Sequence, residues 1–422
     1  MRIIYSLIWW CLLPVILVYF AWRAVGDSRY RSGLMQRFSF YPQALKDKVQ
    51  GCTHIHCASM GEVNAAAPLI RALKQAHPHR ILVVTTTTPT GAEQVYRLFA
   101  DEVIHVLAPL DGFLASWRFA RYFKPQTSIF TEVELWPNWI MALKQQHTKL
   151  YLVNARLSKS SCTRYWQFRG LFLPVFACFD KICAQNKTIE KRYQRFTPKV
   201  MTSGNLKFDI KLPEYLPEKT AEFYQQHALN RQVWVAASVH PDEYQQVLQA
   251  HSQILQQYPN TLLILVPRHP ERFSEVAQYL TQYTDMKFVC RSTQEPVTDK
   301  TSVWLVDSMG ELIAFYALAK IAYVGGSLVN VGGHNPLEPA ALAKAILMGP
   351  NQTNCADICQ QLIERGALHV VNNSADIVQQ VLAWFASDSE LHRAALAATD
   401  VVMCNQGAVQ KTMHVIDGKY SL

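Results

Sequence analysis

The chain has 422 residues, half of them hydrophobic and only 17% charged, with a net charge of +9. Its length excludes a single ordinary core and points to two or three domains, and the charged fraction lies below the roughly 25% usual in soluble proteins. The positive balance suits an anionic partner: nucleic acid, acidic membrane or phosphorylated ligand.

From Ile3 to Trp22, the stretch IIYSLIWWCLLPVILVYFAW carries no charged residue. About 20 apolar residues suffice to cross a bilayer, and Trp9, Trp10, Tyr19 and Trp22 suit its interfaces. A cleaved signal needs a shorter apolar core ending in small residues, whereas Trp22 and Arg23 stand there. The following flank has Arg23, Arg29, Arg31, Arg37, Lys46 and Lys48 against Asp27 and Asp47, which puts the downstream chain on the cytoplasmic side. A membrane anchor over residues 1–22 is expected. Pro14 leaves room for a kink or a shallow, one-leaflet insertion.

Past the anchor, THIHCAS, RILVVTTT, VIHVLAP, TSIFTEV, LYLVNA and KICAQN read as strands, with helical periodicity between them at 65–75 and 91–99. A βα series implies a parallel, helix-covered sheet. KLPEYLPEKT, with Pro213 and Pro217, reads as a linker. The pattern then restarts with VWVAASV, TLLILVP, KFVCRS, VWLVDS, IAYVGGS and AILMGP. The expected class is α/β, with two Rossmann-like α/β/α domains over 23–212 and 213–405 and a ligand in the cleft between their strand ends. The segment 406–422 is expected to pack back on the first domain.

Several chemistries drop out. Ten scattered cysteines include Cys355 and Cys359 spaced C-x3-C without a second pair, so no zinc ribbon can be read. No secretory cleavage pattern occurs, which leaves reduced thiols in a cytosolic compartment as the default. Cys52, His54 and His56 alternate on one strand face and can ligate a metal, although satisfied strand side chains are the preferred reading. VGGSLVNVGGHNPLEPAAL is glycine-rich but does not fit G-x-G-x-x-G and falls late in the second half, against a nicotinamide or flavin site. There is no Walker A lysine motif. No Asp-x-Asp pair is present to hold a metal on a nucleotide diphosphate.

Chemistry-bearing residues gather where strands end. In HIHCASMGE, Glu62 follows Gly61 at a helix start, as a capping carboxylate or as a base at the sheet's catalytic edge. Its place near the helix N-terminus is expected to lower its pKa. IFTEVELWPN puts Glu132 and Glu134 on one face, fit for acid–base work or a salt bridge. SGNLKFDI offers Lys207 and Asp209 on one face if extended. In the second half, LVPRHPERF places Arg268 and His269 after a strand, where arginine suits a bidentate grip on phosphate or carboxylate. LVDSMGEL opens a helix at Ser308-Met309-Gly310, with Glu311 in its first turn. Gly325, Gly326, Gly332 and Gly333 offer amides for phosphate beside a helix carrying Glu338, a carboxylate suited to ribose hydroxyls.

The anchor, ASMGE, TTTTPTG, TEVELWPN, NARLS, GNLKFD, LVPRHPERF, DSMGEL, GGSLVNVGGHNPLEP and NQGA together resemble the 3-deoxy-D-manno-octulosonic acid (Kdo) transferases of lipid A assembly, GT-B glycosyltransferases, over nearly the whole chain. The resemblance implies CMP-Kdo as donor, a phosphorylated tetraacylated disaccharide lipid A precursor as acceptor, anionic inner-membrane lipids as surroundings, and no nucleic acid. It implies no cofactor and no metal. Carried over residue by residue, Glu62 looks like the general base, with Glu132 and Lys207 assisting the transition state. Pro267, Arg268, Met309, Gly310, Glu311, Asn335, Pro336, Leu337 and Glu338 look like the CMP contacts. The acceptor is expected over residues 156–176, with Arg156, Lys159, Arg164 and Arg169 toward lipid phosphates and Trp166, Leu171 and Phe172 toward acyl chains. A sugar-nucleotide epimerase of similar fold and a non-catalytic membrane-bound binding module are the rival readings.

Overall fold

The computed structural model describes residues 1–31, 33–283 and 285–418. Its contacts divide the chain into two units: Met1–Asp209 with the segment from Asn405 onward, and Ile210–Cys404. The first holds strands β1 (Thr53–His56), β2 (Leu82–Thr86), β3 (Ile104–Leu107), β4 (Thr127–Thr131), β5 (Lys149–Ala155), β6 (Lys181–Ala184) and β7 (Val200–Thr202). The second holds β8 (Val233–Val239), β9 (Leu262–Pro267), β10 (Phe288–Cys290), β11 (Val303–Leu305), β12 (Ile321–Val324), β13 (Ala345–Met348) and β14 (Leu368–Val370).

Both sheets are parallel, in the orders β3-β2-β1-β4-β5-β6-β7 and β10-β11-β9-β8-β12-β13-β14. Successive residues of a strand feed opposite cores. Leu150 and Leu152 of β5 join Phe130 and Trp139, whereas Tyr151 and Val153 join Ile55 and Leu69. In β8, Trp234 and Ala236 serve one core while Val233 and Val235 serve the other. Strands buried on both faces therefore read as continuous apolar runs.

In each sheet the first strand, β1 or β8, has its immediate successor on one side and a later strand, β4 or β12, on the other. Chain connections diverge at these two points and leave a crevice at the carboxyl ends of the strands. The candidate residues lie there.

The observed elements depart from expectation in three places. β7 and β14 were not predicted; each is a three-residue edge strand. KLPEYLPEKT is only partly a linker, because a helix spans Leu216–Gln226 with Pro217 in its first turn, where a missing N–H costs nothing. The stretch expected to receive the acceptor is two helices, Lys159–Gln167 and Arg169–Cys178. There Leu171 is buried and Phe172 packs on the core, so neither is free for acyl chains; Trp166 and Phe168 are exposed.

One helix among the described residues, Arg2–Gly26, is long and apolar enough to cross a membrane. Its amino end is tied to the first unit. Arg2 Nε and Ser6 Oγ donate to Asn138 Oδ1 at 3.1 and 3.2 Å, and the Tyr5 hydroxyl donates to Asp111 Oδ2 at 2.8 Å. Near its other end, the Arg37 guanidinium stacks on Phe20 at 4.6 Å. The final helix, Ala408–Ile416, adds Met413, Val415 and Ile416 to the cluster around Val63 and Leu69.

Candidate active site

At the first crevice, the chain leaves β1 through Cys57 and Ala58 into the helix Met60–Ala76, with Ser59 as its N-cap. Glu62 Oε2 accepts from the Ala58 amide at 3.0 Å and from the Thr131 hydroxyl at 2.7 Å; among the described residues Oε1 accepts only from Ser59 Oγ, at 3.3 Å. Burial first, then the Glu134 charge, raise the Glu62 carboxyl above its ordinary value, against the lowering by Thr131 and Ala58. The helix N-terminus was expected to lower it. Desolvation wins instead, and the result is a stronger base.

The loop after β4 supplies two more carboxylates. Glu132 adopts a left-handed φ of 52° and faces two cations, Arg156 at 3.7 Å and Lys207 at 3.9 Å. Glu134 accepts from Trp136 Nε1 at 2.8 Å and meets His56 Nε2 at 3.3 Å. Burial raises its carboxyl, but His56 and Trp136 outweigh that and leave it below the ordinary value. Glu132 and Glu134 therefore serve different partners rather than forming a pair. Glu62, Glu132 and Glu134 all act on the buried Cys57 thiol, whose pKa burial and their charges drive upward.

Lys207 and Asp209 part company as well. Their segment is a 3₁₀ turn, Leu206–Phe208, rather than extended; Asp209 accepts from the amides of Gly407 and Val409 before the final helix. His54 and His56 spend their ring nitrogens on Ser128, Thr85 and Glu134 and pack edge-on against Phe119, Phe130 and Trp139. They are core histidines, and one of them positions Glu134.

In the second unit, β11, β9, β8 and β12 are consecutive neighbours, and their ends carry Met309–Glu311, Arg268, His240 and the glycine loop. Among the described residues the Arg268 guanidinium makes no hydrogen bond or ion pair. Glu311 sits just before the helix Leu312–Leu318 rather than in its first turn. Its carboxylate accepts from Ser308 Oγ at 2.7 Å and from Arg291 at 3.1 Å, which leaves Met309 and Gly310 as the exposed part of that loop. After the glycines, Asn335 is exposed and Pro336 and Leu337 are buried. Glu338 is partly buried, and that burial raises its carboxyl.

The amides of Gly325, Gly326 and Gly333 are not the phosphate cradle they were expected to be. Glu243, wholly buried in the helix Pro241–Gln257, accepts from the amides of His240, Gly326, Ser327 and Leu328 and from the Tyr323 hydroxyl, all within 3.1 Å. Gly325 and Gly333 donate to Ala237 and Gly326 carbonyls. The loop is closed by a buried carboxylate. A Cβ on Gly325 would lie 2.5 Å from the Ser238 carbonyl oxygen, so close approach is what requires this glycine.

Sequence reasoning missed His240, Glu243, His334 and Thr131. His240 directly follows a predicted strand and His334 lies inside a quoted motif, so a signal was present; Glu243 reads as an ordinary first-turn carboxylate.

The family model for 3-Deoxy-D-manno-octulosonic-acid transferase (kdotransferase) matches residues 32–210. A 3-deoxy-D-manno-octulosonic acid transferase of Haemophilus influenzae is 38% identical over 407 residues, covering 96% of this chain and 95% of that protein. The chain belongs to the Kdo transferase family. A probable mitochondrial Kdo transferase of Arabidopsis thaliana is 31% identical over 86% of this chain and 83% of its own. Among solved structures, a UDP-GlcNAc 2-epimerase from Neisseria meningitidis bound to UDP-GlcNAc matches with a TM-score of 0.60 at 12% identity, over 87% of this chain and 99% of that one. A glycosyltransferase from Rickettsia africae matches with a TM-score of 0.54 at 13% identity, over 87% and 98%. These likenesses establish the fold, two parallel-sheet α/β domains of GT-B type, and the family membership makes this Kdo transferase a glycosyltransferase.

Proposed function

We propose that this Kdo transferase moves Kdo from CMP-Kdo to the tetraacyldisaccharide 4′-phosphate precursor of lipid A, with inversion and without a metal. The observation that carries the reading is Glu62: a carboxylate at the first crevice, raised by burial, with one oxygen held, among the described residues, only by Ser59. An acceptor hydroxyl loses its proton to Glu62 as its oxygen bonds to the anomeric carbon, and the bond from that carbon to the phosphate oxygen breaks. The sugar centre gains positive character on the way and the departing phosphate gains negative charge; Glu132 and Lys207 lie at the same strand edge and are assigned to that transition state, the ammonium toward the phosphate.

The donor falls to the second unit. CMP-Kdo carries a phosphate and a carboxylate, and the unpaired Arg268 suits either. Pro267, Met309, Gly310, Glu311 and the stretch Asn335–Glu338 complete the nucleotide contacts, with the Glu338 carboxylate toward a ribose hydroxyl. A nucleoside monophosphate leaves without the diphosphate that a metal would bridge.

The acidic inner-membrane surface faces the apolar helix Arg2–Gly26 and the basic flank after it, with the catalytic units on the cytoplasmic side. Contacts of both helix ends with the first unit favour a helix lying in one leaflet along that unit over one crossing the bilayer. Arg164 and Arg169 are exposed and are assigned to the acceptor's phosphates.

Incubation with CMP-Kdo and the lipid precursor, with and without EDTA, tests the reading. CMP release that requires the lipid and survives chelation is expected, and product mass reports how many Kdo residues are added. CMP release or sugar isomerisation without a lipid product contradicts it.

A further inference from the structure

Three imidazoles gather at the second crevice. His240 follows β8, His269 follows Arg268 at the end of β9, and His334 closes the glycine loop after β12. His240 Nε2 and His334 Nε2 lie 3.0 Å apart, with the rings nearly parallel at 15° and centroids 5.3 Å apart. His269 stands edge-on to His240 at 5.1 Å. Gly326 makes room for the pair: a Cβ there would lie 3.1 Å from His334 Cδ2 and 3.4 Å from His240 Cδ2.

An Nε2–Nε2 contact at that distance needs one nitrogen with a proton and one without. The two rings therefore share a single bridging proton. A second proton would set two N–H groups face to face. Burial first, then Arg268 and His240, hold His334 down to about 4; burial also lowers His240, with His269 and Arg268 lowering it further and Glu243 and Asp242 opposing them. Glu271 faces His269 at 3.5 Å. The Cys355 thiol meets the His334 carbonyl at 3.4 Å and the Cys359 sulfur at 3.3 Å. At rest, then, the pair is neutral beside an unpaired guanidinium.

An arriving anion inverts that balance. It neutralises Arg268, which had disfavoured a charge on the rings, and it supplies oxygen acceptors to which two N–H groups can point. We propose that His240 and His334 form a proton-sharing pair that grips the donor's anionic groups together with Arg268 and takes up a proton as they arrive. The proposal rests on the assignment of CMP-Kdo to the second unit, and it gives that site a dependence on pH that Arg268 alone would not confer.

The test uses the full chain and two probes, CMP and its phosphate methyl ester, whose phosphodiester does not titrate near neutrality. Calorimetry in buffers of different ionisation enthalpy counts protons. Ester binding is expected to take up protons at pH 6, with affinity rising by up to about tenfold per unit fall in pH between the free and bound titration ranges. His334→Gln and His240→Gln, checked for wild-type melting, abolish the uptake and flatten the pH dependence, while Arg268→Gln weakens both probes. If CMP binds and Arg268→Gln weakens it, but ester affinity is flat from pH 5.5 to 8 and unchanged in both histidine variants, the pair has no such role and the donor assignment stands. If neither probe binds, or Arg268→Gln binds normally, both fail together.

Discussion

Two glutamates occupy the same place in the two sheets. Glu62 and Glu243 each stand at the third position of the helix that follows the first strand, and each accepts an amide from the turn before it. Yet Glu243 is wholly buried, with five donors on its two oxygens, whereas Glu62 is part-exposed, and among the described residues only the Thr131 hydroxyl reaches it from the neighbouring strand. The difference lies in the second wall of each crevice. After β12 the glycine loop folds its amides over Glu243; after β4 the chain turns at Glu132 and sends its carboxylates elsewhere. One topology thus yields a structural carboxylate in one unit and an available one in the other.

Glu62→Gln breaks the comparison hardest. Loss of a general base typically costs on the order of 100- to 10,000-fold, so kcat is expected to fall in that range. Because burial raises the folded-state pKa, the carboxylate costs stability as the pH climbs past its unfolded value. The amide removes that cost, and the melting temperature should stay level or rise; a lower melting temperature with normal turnover would mean Glu62 is a cap. Lys207→Met, next in size, should lower kcat by roughly 100- to 1,000-fold if the ammonium meets developing charge. An effect on acceptor KM alone would assign it to binding.

Glu243→Gln asks whether the second glutamate is structural. Either oxygen replaced by NH2 turns a donor toward at least two donors, at about 1–3 kcal/mol for each one orphaned. The denaturant midpoint of the Ile210–Cys404 unit should fall, and an unchanged midpoint would refute the loop-closing role. Thr131→Val is the mildest change, worth about 1 kcal/mol. Without that hydroxyl the Glu62 pKa rises further, so the acid limb of the pH–rate profile should move to higher pH. Movement to lower pH would separate that limb from Glu62.

Much of this was legible in the sequence, for physical reasons. Parallel strands buried on both faces make apolar runs that are hard to miss, whereas the short edges Val200–Thr202 and Leu368–Val370 escaped. The strand ends pointed to Glu62, Glu132, Arg268 and Glu338 as chemistry-bearing. What a glutamate does there depends on the loop of a strand distant in sequence: Thr131 is 69 residues from Glu62, and Gly326 is 83 from Glu243. For the same reason the glycine amides looked free, the Glu62 pKa looked low, and the pairing of His240 with His334, 94 residues away, went unseen.

CMP affinity and turnover, measured together on Glu62→Gln and Arg268→Gln, test the division of labour most directly. The account predicts that Glu62→Gln binds CMP like the wild type and has nearly lost transfer, while Arg268→Gln binds CMP at least about tenfold more weakly, the loss of roughly one charge-assisted hydrogen bond. Near-normal transfer by Glu62→Gln, or unchanged CMP binding by Arg268→Gln, would contradict it.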